Sequence, residues 1–248
     1  MVTSRGSEET MPEDKPREVR VAGAEADPLT PPAPARKYLT RWAIFLLGVY
    51  VMSVGIALSV HGQLGTAPIS TFPAVIDAAS TWTVGMVSAV MNVAFVLIQM
   101  LILRRRFQLF QLVQLPIALV FGALIDFSLF LTSWAQTGHY VLQWVVTIFG
   151  ALILGLGVYI QIQPKLLYLP GEGLVMALTQ VSTVRFGTMK QLVDWSLVLI
   201  SAVLSLILMQ RLAGVREGTV FAAFAVGAVV KTIDSMTQRR HKSTASNR

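Results

Sequence analysis

Six apolar runs follow one another between residues 41 and 236, separated by short polar segments. A helix crosses a hydrocarbon core of about 30 Å with about 20 predominantly apolar residues, and each run is about that long. The pattern therefore predicts an all-α fold, a polytopic membrane helix bundle with six transmembrane helices. We expect the spans at residues 41–62, 84–103, 109–132, 141–163, 186–209 and 218–236.

Two segments between the spans are too polar to cross a bilayer and too apolar to be ordinary loops. "LGTAPISTF" begins the segment 64–82, and "YLPGEGLVMAL" begins the segment 168–182. Pro68 and Pro170 suit the first turn of a helix, because the N–H that proline lacks would have no helical partner there. We expect each segment to form a short half-helix that dips into the protein. The alternative is that both are connectors lying flat at the membrane surface.

The two segments occupy matching places in an internal repeat. A shift of 102 positions aligns six identical pairs, and after a three-residue slip Gly122 aligns with Gly227. The six pairs are Gly48 with Gly150, Gly55 with Gly157, Pro68 with Pro170, Ser80 with Ser182, Thr81 with Thr183 and Gly85 with Gly187.

Each copy of the repeat contains three predicted spans, in residues 41–132 and 141–236. Three is an odd number, so the second copy must enter the membrane from the opposite side. The sequence thus predicts an inverted 3+3 repeat with one half-helix in each half. Interrupted helices in matching positions of two halves point to a transporter's binding site, because irregular backbone at membrane depth must be covered by protein or line a cavity.

The charged residues are few and unevenly placed. Only 13% of the 248 residues are charged, about half of the roughly 25% that is usual in soluble domains. Seven of the 13 acidic residues precede residue 38, in a stretch also rich in Pro and Ala. Such a stretch buries too little apolar surface to order itself. We expect a disordered cytoplasmic tail at 1–38, a transmembrane domain at 39–237 and a basic cytoplasmic tail at 238–248.

The basic residues predict the orientation in the membrane, because Lys and Arg are retained on the cytoplasmic side. With the N-terminus inside, the outer face keeps only Arg211 and Arg216. Both termini are therefore expected in the cytoplasm. Basic residues beside apolar runs fit a lipid bilayer and speak against a nucleic-acid partner. The inner face collects Arg36, Lys37, Arg41, Arg104, Arg105, Arg106, Lys165, Arg185, Arg239, Arg240 and Lys242.

Motifs of catalysis and of cofactor binding are missing from the sequence. The chain has no Cys, which excludes disulfides and thiolate chemistry, and its three His have no metal-ligand spacing. It contains no nucleophile elbow, phosphate loop, HExxH or dinucleotide fingerprint. We expect no enzyme activity, no catalytic residue, no metal and no cofactor.

Polar residues deep in the spans are the candidates for substrate or ion binding. Asn92 and Asp194 are equivalent in the repeat, and each lies about eight residues into its span, roughly 12 Å deep. An ionisable group at that depth costs about 2.5–3.5 kcal/mol and marks a functional site by default. Lys190 precedes Asp194 by four residues and can pair with it. The alternative is a neutralised structural pair, with Asn92 joining helices.

Three further candidates lie at the starts of the half-helices: Pro68, Pro170 and Glu172. Glu172 stands where backbone N–H groups converge, so it either caps its own helix or serves as a gate or cation ligand. Asp126 and Lys231 align in the repeat near span ends, and we expect both side chains to snorkel to the membrane surface.

The chain resembles the YczE-like bacterial integral membrane proteins, which are similar in style to YitT-type proteins. The resemblance covers residues 42–236 and rests on four stretches: Gly48 to Leu58, "LGTAP" at 64–68, "LPGEGLVMAL" at 169–178, and "GT" at 218–219. In the first half Ile69 and Ser70 replace the aromatic and acidic residues frequent in that family. The resemblance implies a six-span fold in the bacterial cytoplasmic (inner) membrane, with transport assumed.

Two functions fit these patterns. The first is a small secondary transporter or permease, with a midplane site among Asn92, Asp194, Lys190 and the half-helices, for a small molecule or ion whose identity the sequence does not give. The second is an accessory or scaffold subunit of an export, signalling or biosynthetic complex, without transport. A homodimer would suit either function.

Overall fold

The computed structural model describes residues 35–184, 186–212 and 214–229, and no β-strand occurs in this part of the chain. The predicted all-helical fold is confirmed. The predicted tails at 1–38 and 238–248 lie almost wholly or wholly outside the described residues. The helices are α1 (Ala35–His61), α2 (Pro68–Ala79), α3 (Val84–Leu103), α4 (Gln114–Leu131), α5 (Tyr140–Ile162), α6 (Pro170–Val181), α7 (Phe186–Met209) and α8 (Glu217–Val229).

Five of the helices, α1, α3, α4, α5 and α7, are long and apolar enough to cross a membrane. This property fits an integral membrane protein with several spans. α8 is apolar but shorter in the described residues, and residues 230–236 of the predicted sixth span lie outside them. The 3-10 turn Leu109–Val113 precedes α4, so the regular α-helix begins five residues later than the predicted third span.

α1 lies at the centre of the core, packed mainly against α5 and also against α4. Its fully buried side chains Phe45 and Val49 join Ile125 of α4 and Leu154 of α5 in one apolar cluster. These burials follow from the nearly continuous apolar sequence of α1, which gives it no polar face to turn outward. The centre of the described bundle is therefore an apolar cluster of closely packed side chains.

Glycines let α1 and α5 approach closely, and the two helices run antiparallel. A Cβ added at Gly48 would lie 2.6 Å from the Cα of Gln161, and one added at Gly55 would lie equally close to the Cα of Leu154. Backbone contact through small residues is the usual way in which membrane helices associate, since lipid supplies no hydrophobic drive between them.

The helices α2 and α6 are each 12 residues long, and each has proline as its first residue. Both are too short to cross a bilayer. They pack on α3 and α7, around a smaller apolar cluster of Met91, Phe95 and Leu174. α2 is followed by Ser80 and α6 by Ser182, both in extended conformation, which ends the helices.

Candidate functional site

The first turns of α2 and α6 meet inside the bundle. The side chain of Ile69 lies against Gly171, and a Cβ at Gly171 would overlap Cδ1 of Ile69 and lie 3.8 Å from the Phe95 ring. The N-terminal ends of two short helices therefore converge at one place. Each such end presents backbone N–H groups without helical partners and the positive end of a helix dipole.

A glutamine of α3 holds the start of α6. Gln99 is buried, and its Nε2 donates a hydrogen bond to the Pro170 carbonyl oxygen at 3.0 Å and a longer one to Oε1 of Gln114. A Cβ at Gly173 would lie 2.7 Å from Oε1 of Gln99, so glycine is needed for this approach. Gln99 was not predicted as a site residue, although a glutamine near the end of an apolar span is a visible signal.

A serine of α7 holds the start of α2 in a similar way. The hydroxyls of Ser201 and Thr71 are 3.0 Å apart, so one of them can donate to the other. Each also lies near a carbonyl oxygen of its own helix, Pro68 at 2.7 Å for Thr71 and Leu197 at 2.6 Å for Ser201. Both side chains are fully buried. In this way a long helix from each half of the sequence is bonded to the short helix of the other half.

Lys190 and Asp194 of α7 form the ion pair that their spacing predicts. Nζ of Lys190 is 2.5 Å from Oδ1 of Asp194, and the side chains retain 33% and 23% of their exposure. Asp194 also lines a cleft of about 70 Å³ between α7 and α8, to which Pro68 contributes at the start of α2. This volume has room for a few water molecules or a small ion. The structure thus places Asp194, Lys190 and Pro68 close together.

Glu172 lies in the first turn of α6. The backbone N–H of Leu169, the residue before the helix, donates to its carboxylate, as in a helix cap. Its Oε2 is buried and has no hydrogen-bond partner among the described residues. Lys190 and Asp194 both act on this carboxylate electrostatically. Glu172 therefore caps its helix and lies within electrostatic range of the Lys190–Asp194 ion pair on α7.

Tyr168 stands two residues before α6 and was not singled out from the sequence. Burial raises the pKa of its phenol, and the negative charge of Glu172 raises the pKa further. The neutral form, which can donate a hydrogen bond, is therefore favoured beside the Glu172 carboxylate.

Asn92 is buried in α3, and its Nδ2 donates to the Ser88 carbonyl oxygen of the same helix at 2.9 Å. Its neighbour Met91 belongs to the apolar cluster around the short helices. Pro170 is the last of the candidate residues, and its carbonyl oxygen accepts a hydrogen bond from Gln99. A shared binding site for the six candidate residues stays a prediction.

The prediction that Asp126 snorkels to the membrane surface stays a prediction, and the structure adds that its half-buried carboxylate is bonded to the start of α3. Oδ2 accepts from the Thr83 hydroxyl at 2.6 Å, and Oδ1 accepts from the Gly85 N–H at 2.8 Å. Asp77 accepts from the neighbouring N–H of Val84. Two carboxylates from α2 and α4 thus cap the N-terminus of α3, where a helix dipole favours negative charge. Its partner in the prediction, Lys231, lies outside the described residues.

Among the described residues, no group of three or more His, Cys, Asp or Glu is placed to hold a metal ion. His61, at the end of α1, bonds through Nε2 to the Leu129 carbonyl oxygen at 3.0 Å. That contact gives this histidine a structural role.

The comparisons with known proteins give one match, to a family model. No curated protein and no solved structure matches the chain. The resemblance to YczE-like proteins stays a prediction. A family model matches residues 39–235, which include all of the described helices except the first residues of α1. The chain therefore belongs to the family of unknown function DUF6198.

Proposed function

We propose that this protein is a small secondary transporter, built as an inverted repeat of three spans in each half. The observation that carries the proposal is the contact between Ile69 and Gly171 at the starts of the two short helices. These residues are 102 positions apart, so each is the counterpart of the other in the sequence repeat. A residue contacts its own counterpart only beside the axis that relates two copies. We place the pseudo-twofold axis there, in the membrane plane.

The contacts between α1 and α5 support this axis. When both residues of one contact are replaced by their counterparts in the repeat, the result is another contact that the structure contains. Gly48 lies against Gln161, and its counterpart Gly150 lies against Ser59, the counterpart of Gln161. Gly55 lies against Leu154, and their counterparts Gly157 and Met52 also lie against each other. An antiparallel pair of helices with this property is self-complementary, as expected of an interface on a twofold axis.

The bonds to the short helices support the axis as well. Gln99 of α3 and Ser201 of α7 are counterparts, and each bonds to the first turn of the short helix in the other half. Gln63 and Lys165 are also counterparts, and both have positive φ, at 56° and 50°, just after α1 and α5. Repeating a left-handed turn at two non-glycine positions indicates a shared local design.

The proposed binding site lies between the converging starts of α2 and α6 and the ion pair of Lys190 with Asp194 on α7. The helix ends would act on an anionic group of a solute, and Asp194 would carry a proton or cation. Lys190 neutralises Asp194 while the site is empty. Binding at Asp194 would displace Lys190, and this change of charge would couple the ion to the solute. Asn92 completes the site in this proposal as an uncharged counterpart of Asp194.

For location we propose the bacterial cytoplasmic membrane, with both termini in the cytoplasm. The support is the distribution of Lys and Arg beside the spans. With this orientation both short helices start at the axis, and α2 runs toward the outer side while α6 runs toward the inner side. The two short helices would then open toward opposite faces, as alternating access requires.

A second function has one observation in its favour. The described core is densely packed and apolar, and the cleft beside Asp194, at about 70 Å³, is too small for an organic solute. An accessory or scaffold subunit needs no larger cavity. It would use exposed apolar helix faces, such as that of α7, to bind a partner protein or a second copy of the chain.

Reconstitution into liposomes loaded with a pH-sensitive dye distinguishes the two functions. A panel of amino acids, sugars, organic anions and organic cations is added outside under an imposed pH gradient. A transporter gives solute-dependent proton flux that Asp194→Asn reduces at least tenfold, while Ser196→Ala on the exposed side of α7 leaves it unchanged. Solute flux that is equal in wild type and Asp194→Asn would remove Asp194 from the site. An inactive wild type across the panel would favour the accessory subunit.

A further inference from the structure

The two halves of the chain differ at one pair of equivalent helix contacts. In the first half, α3 and α4 touch through glycines: a Cβ at Gly122 would lie 2.5 Å from the Gly85 carbonyl oxygen. Their counterparts in the second half are Gly187 of α7 and Gly227 of α8. A Cβ added at either has no atom within 4 Å among the described residues. Within the described part of the chain, the glycine contact that closes α3 on α4 is therefore not made between α7 and α8.

Burial of the two long helices follows the same difference. In the most apolar window, 44% of the α3 residues are buried but only 11% of those of α7. The cleft that reaches Asp194 lies in the gap between α7 and α8. The open contact at Gly187 therefore lies one helical turn before Gln191, which lines the cleft.

A carboxylate holds the closed contact together. Asp126 of α4 bonds to the hydroxyl of Thr83 and to the N–H of Gly85, at the end of α3 that touches α4. The residue that aligns with Asp126 in the second half is Lys231, which lies outside the described residues. A lysine ammonium has only donors and cannot accept a hydrogen bond from a helix N-terminus. We call the two bonds of the Asp126 carboxylate to α3 the latch. By sequence, the second half lacks this latch.

We infer that α7 and α8 form the cytoplasmic gate of the site, and that this structure has the gate open. The inference rests on the proposed function, from which it takes the inverted repeat and the orientation. Gly85 then lies toward the outer face and Gly187 toward the inner face, so the site is sealed outside and accessible inside. In the opposite state Gly187 closes on Gly227 as Gly85 closes on Gly122. The Asp126 latch biases the protein toward the inward-open state.

The gate predicts a disulfide that forms only on closing. Positions 187 and 227 accept a cysteine side chain without overlap, and the chain has no other cysteine. A disulfide needs Cα atoms about 4.4–6.8 Å apart, a distance that glycine-mediated helix contact provides. A protease site inserted in the exposed connection between α7 and α8 allows detection, since a disulfide keeps the cut fragments together.

The experiment uses Gly187→Cys with Gly227→Cys in the full chain, in native membranes, under mild oxidation. We expect joined fragments, and joining several-fold faster when Asp126→Ala removes the latch. Asp126→Asn, which keeps a side-chain oxygen able to accept from the Gly85 N–H, should give an intermediate rate and guards against misfolding of the alanine variant. Either cysteine alone must give no joining.

Separate fragments in every background would overturn the gate, and so would a joining rate that neither latch variant changes. The readout needs no solute, so its failure is distinct from failure of the transport proposal. Joining that responds to the latch in a protein without solute flux would keep the moving helices and remove only transport.

Discussion

The side chain of Ile69 rests on Gly171, its own counterpart in the repeat, at the point where α2 and α6 begin. Because position 171 has no side chain, the two helix starts approach until an isoleucine methyl fills the space between them. This contact links the two halves of the chain near the candidate site.

A larger residue at position 171 should push the short helices apart. Gly171→Val is expected to destabilise the protein by about 1–3 kcal/mol, the usual cost of overpacking. Ile69→Ala in the same chain should recover more than half of the loss, because it removes the overlapping methyl group. Thermal unfolding in detergent measures both variants. Additive effects of the two substitutions would mean that the side chains do not touch.

The bonds from α3 and α7 predict selective loosening of the short helices. Gln99→Ala should raise amide hydrogen exchange in the first turn of α6 and leave α2 unchanged. Ser201→Ala should do the reverse, since its hydroxyl meets Thr71 of α2. Each variant is the control for the other in exchange measured by mass spectrometry. Equal changes in both helices after either substitution would contradict this pairing.

The ion pair on α7 predicts an asymmetry between single and double substitutions. Asp194→Leu or Lys190→Met alone leaves an unpaired charge on an apolar helix and should lower the melting temperature. The double variant should melt closer to the wild type, because replacing a whole ion pair by apolar side chains is often neutral. Melting is followed in lipid nanodiscs. A double variant that melts lower than both singles would show that the pair itself stabilises the bundle.

Glycine in the close contact between α1 and α5 should not tolerate even alanine. Gly55→Ala places a methyl group 2.6 Å from the Cα of Leu154 and is expected to cost about 1–3 kcal/mol. Gly138→Ala is the matched control, since nothing lies within 4 Å of a Cβ there among the described residues. The fraction of monodisperse protein after heating compares them. A loss as large in the control would place the effect outside the helix contact.

The long helices could be predicted from the sequence because apolar length is a local property. The spans predicted at 84–103 and 186–209 coincide with α3 and α7. Both short helices begin at the prolines that predicted them. The third predicted span, 109–132, also matches the apolar helical segment Leu109–Leu131, although residues 109–113 form a 3-10 turn before the regular α-helix begins.

The hydrogen bonds around the site could not be predicted in the same way. Gln99 bonds to a carbonyl 71 residues away, and Asp126 bonds to an N–H group 41 residues away. Such contacts depend on how helices pack, which hydropathy does not encode. The ion pair between Lys190 and Asp194 was predictable because both residues lie on one helix, one turn apart.

Inverted placement of the two short helices is the central claim, and the sidedness of Ser80 and Ser182 tests it most directly. These residues follow α2 and α6, are exposed, and are counterparts in the repeat. Each is replaced by the only cysteine of the chain and treated with a membrane-impermeant thiol reagent on intact and on opened cells. The account predicts that Ser80→Cys is labelled on intact cells and Ser182→Cys only after opening. Labelling of both from the same side would contradict the inverted repeat and the transport proposal that depends on it.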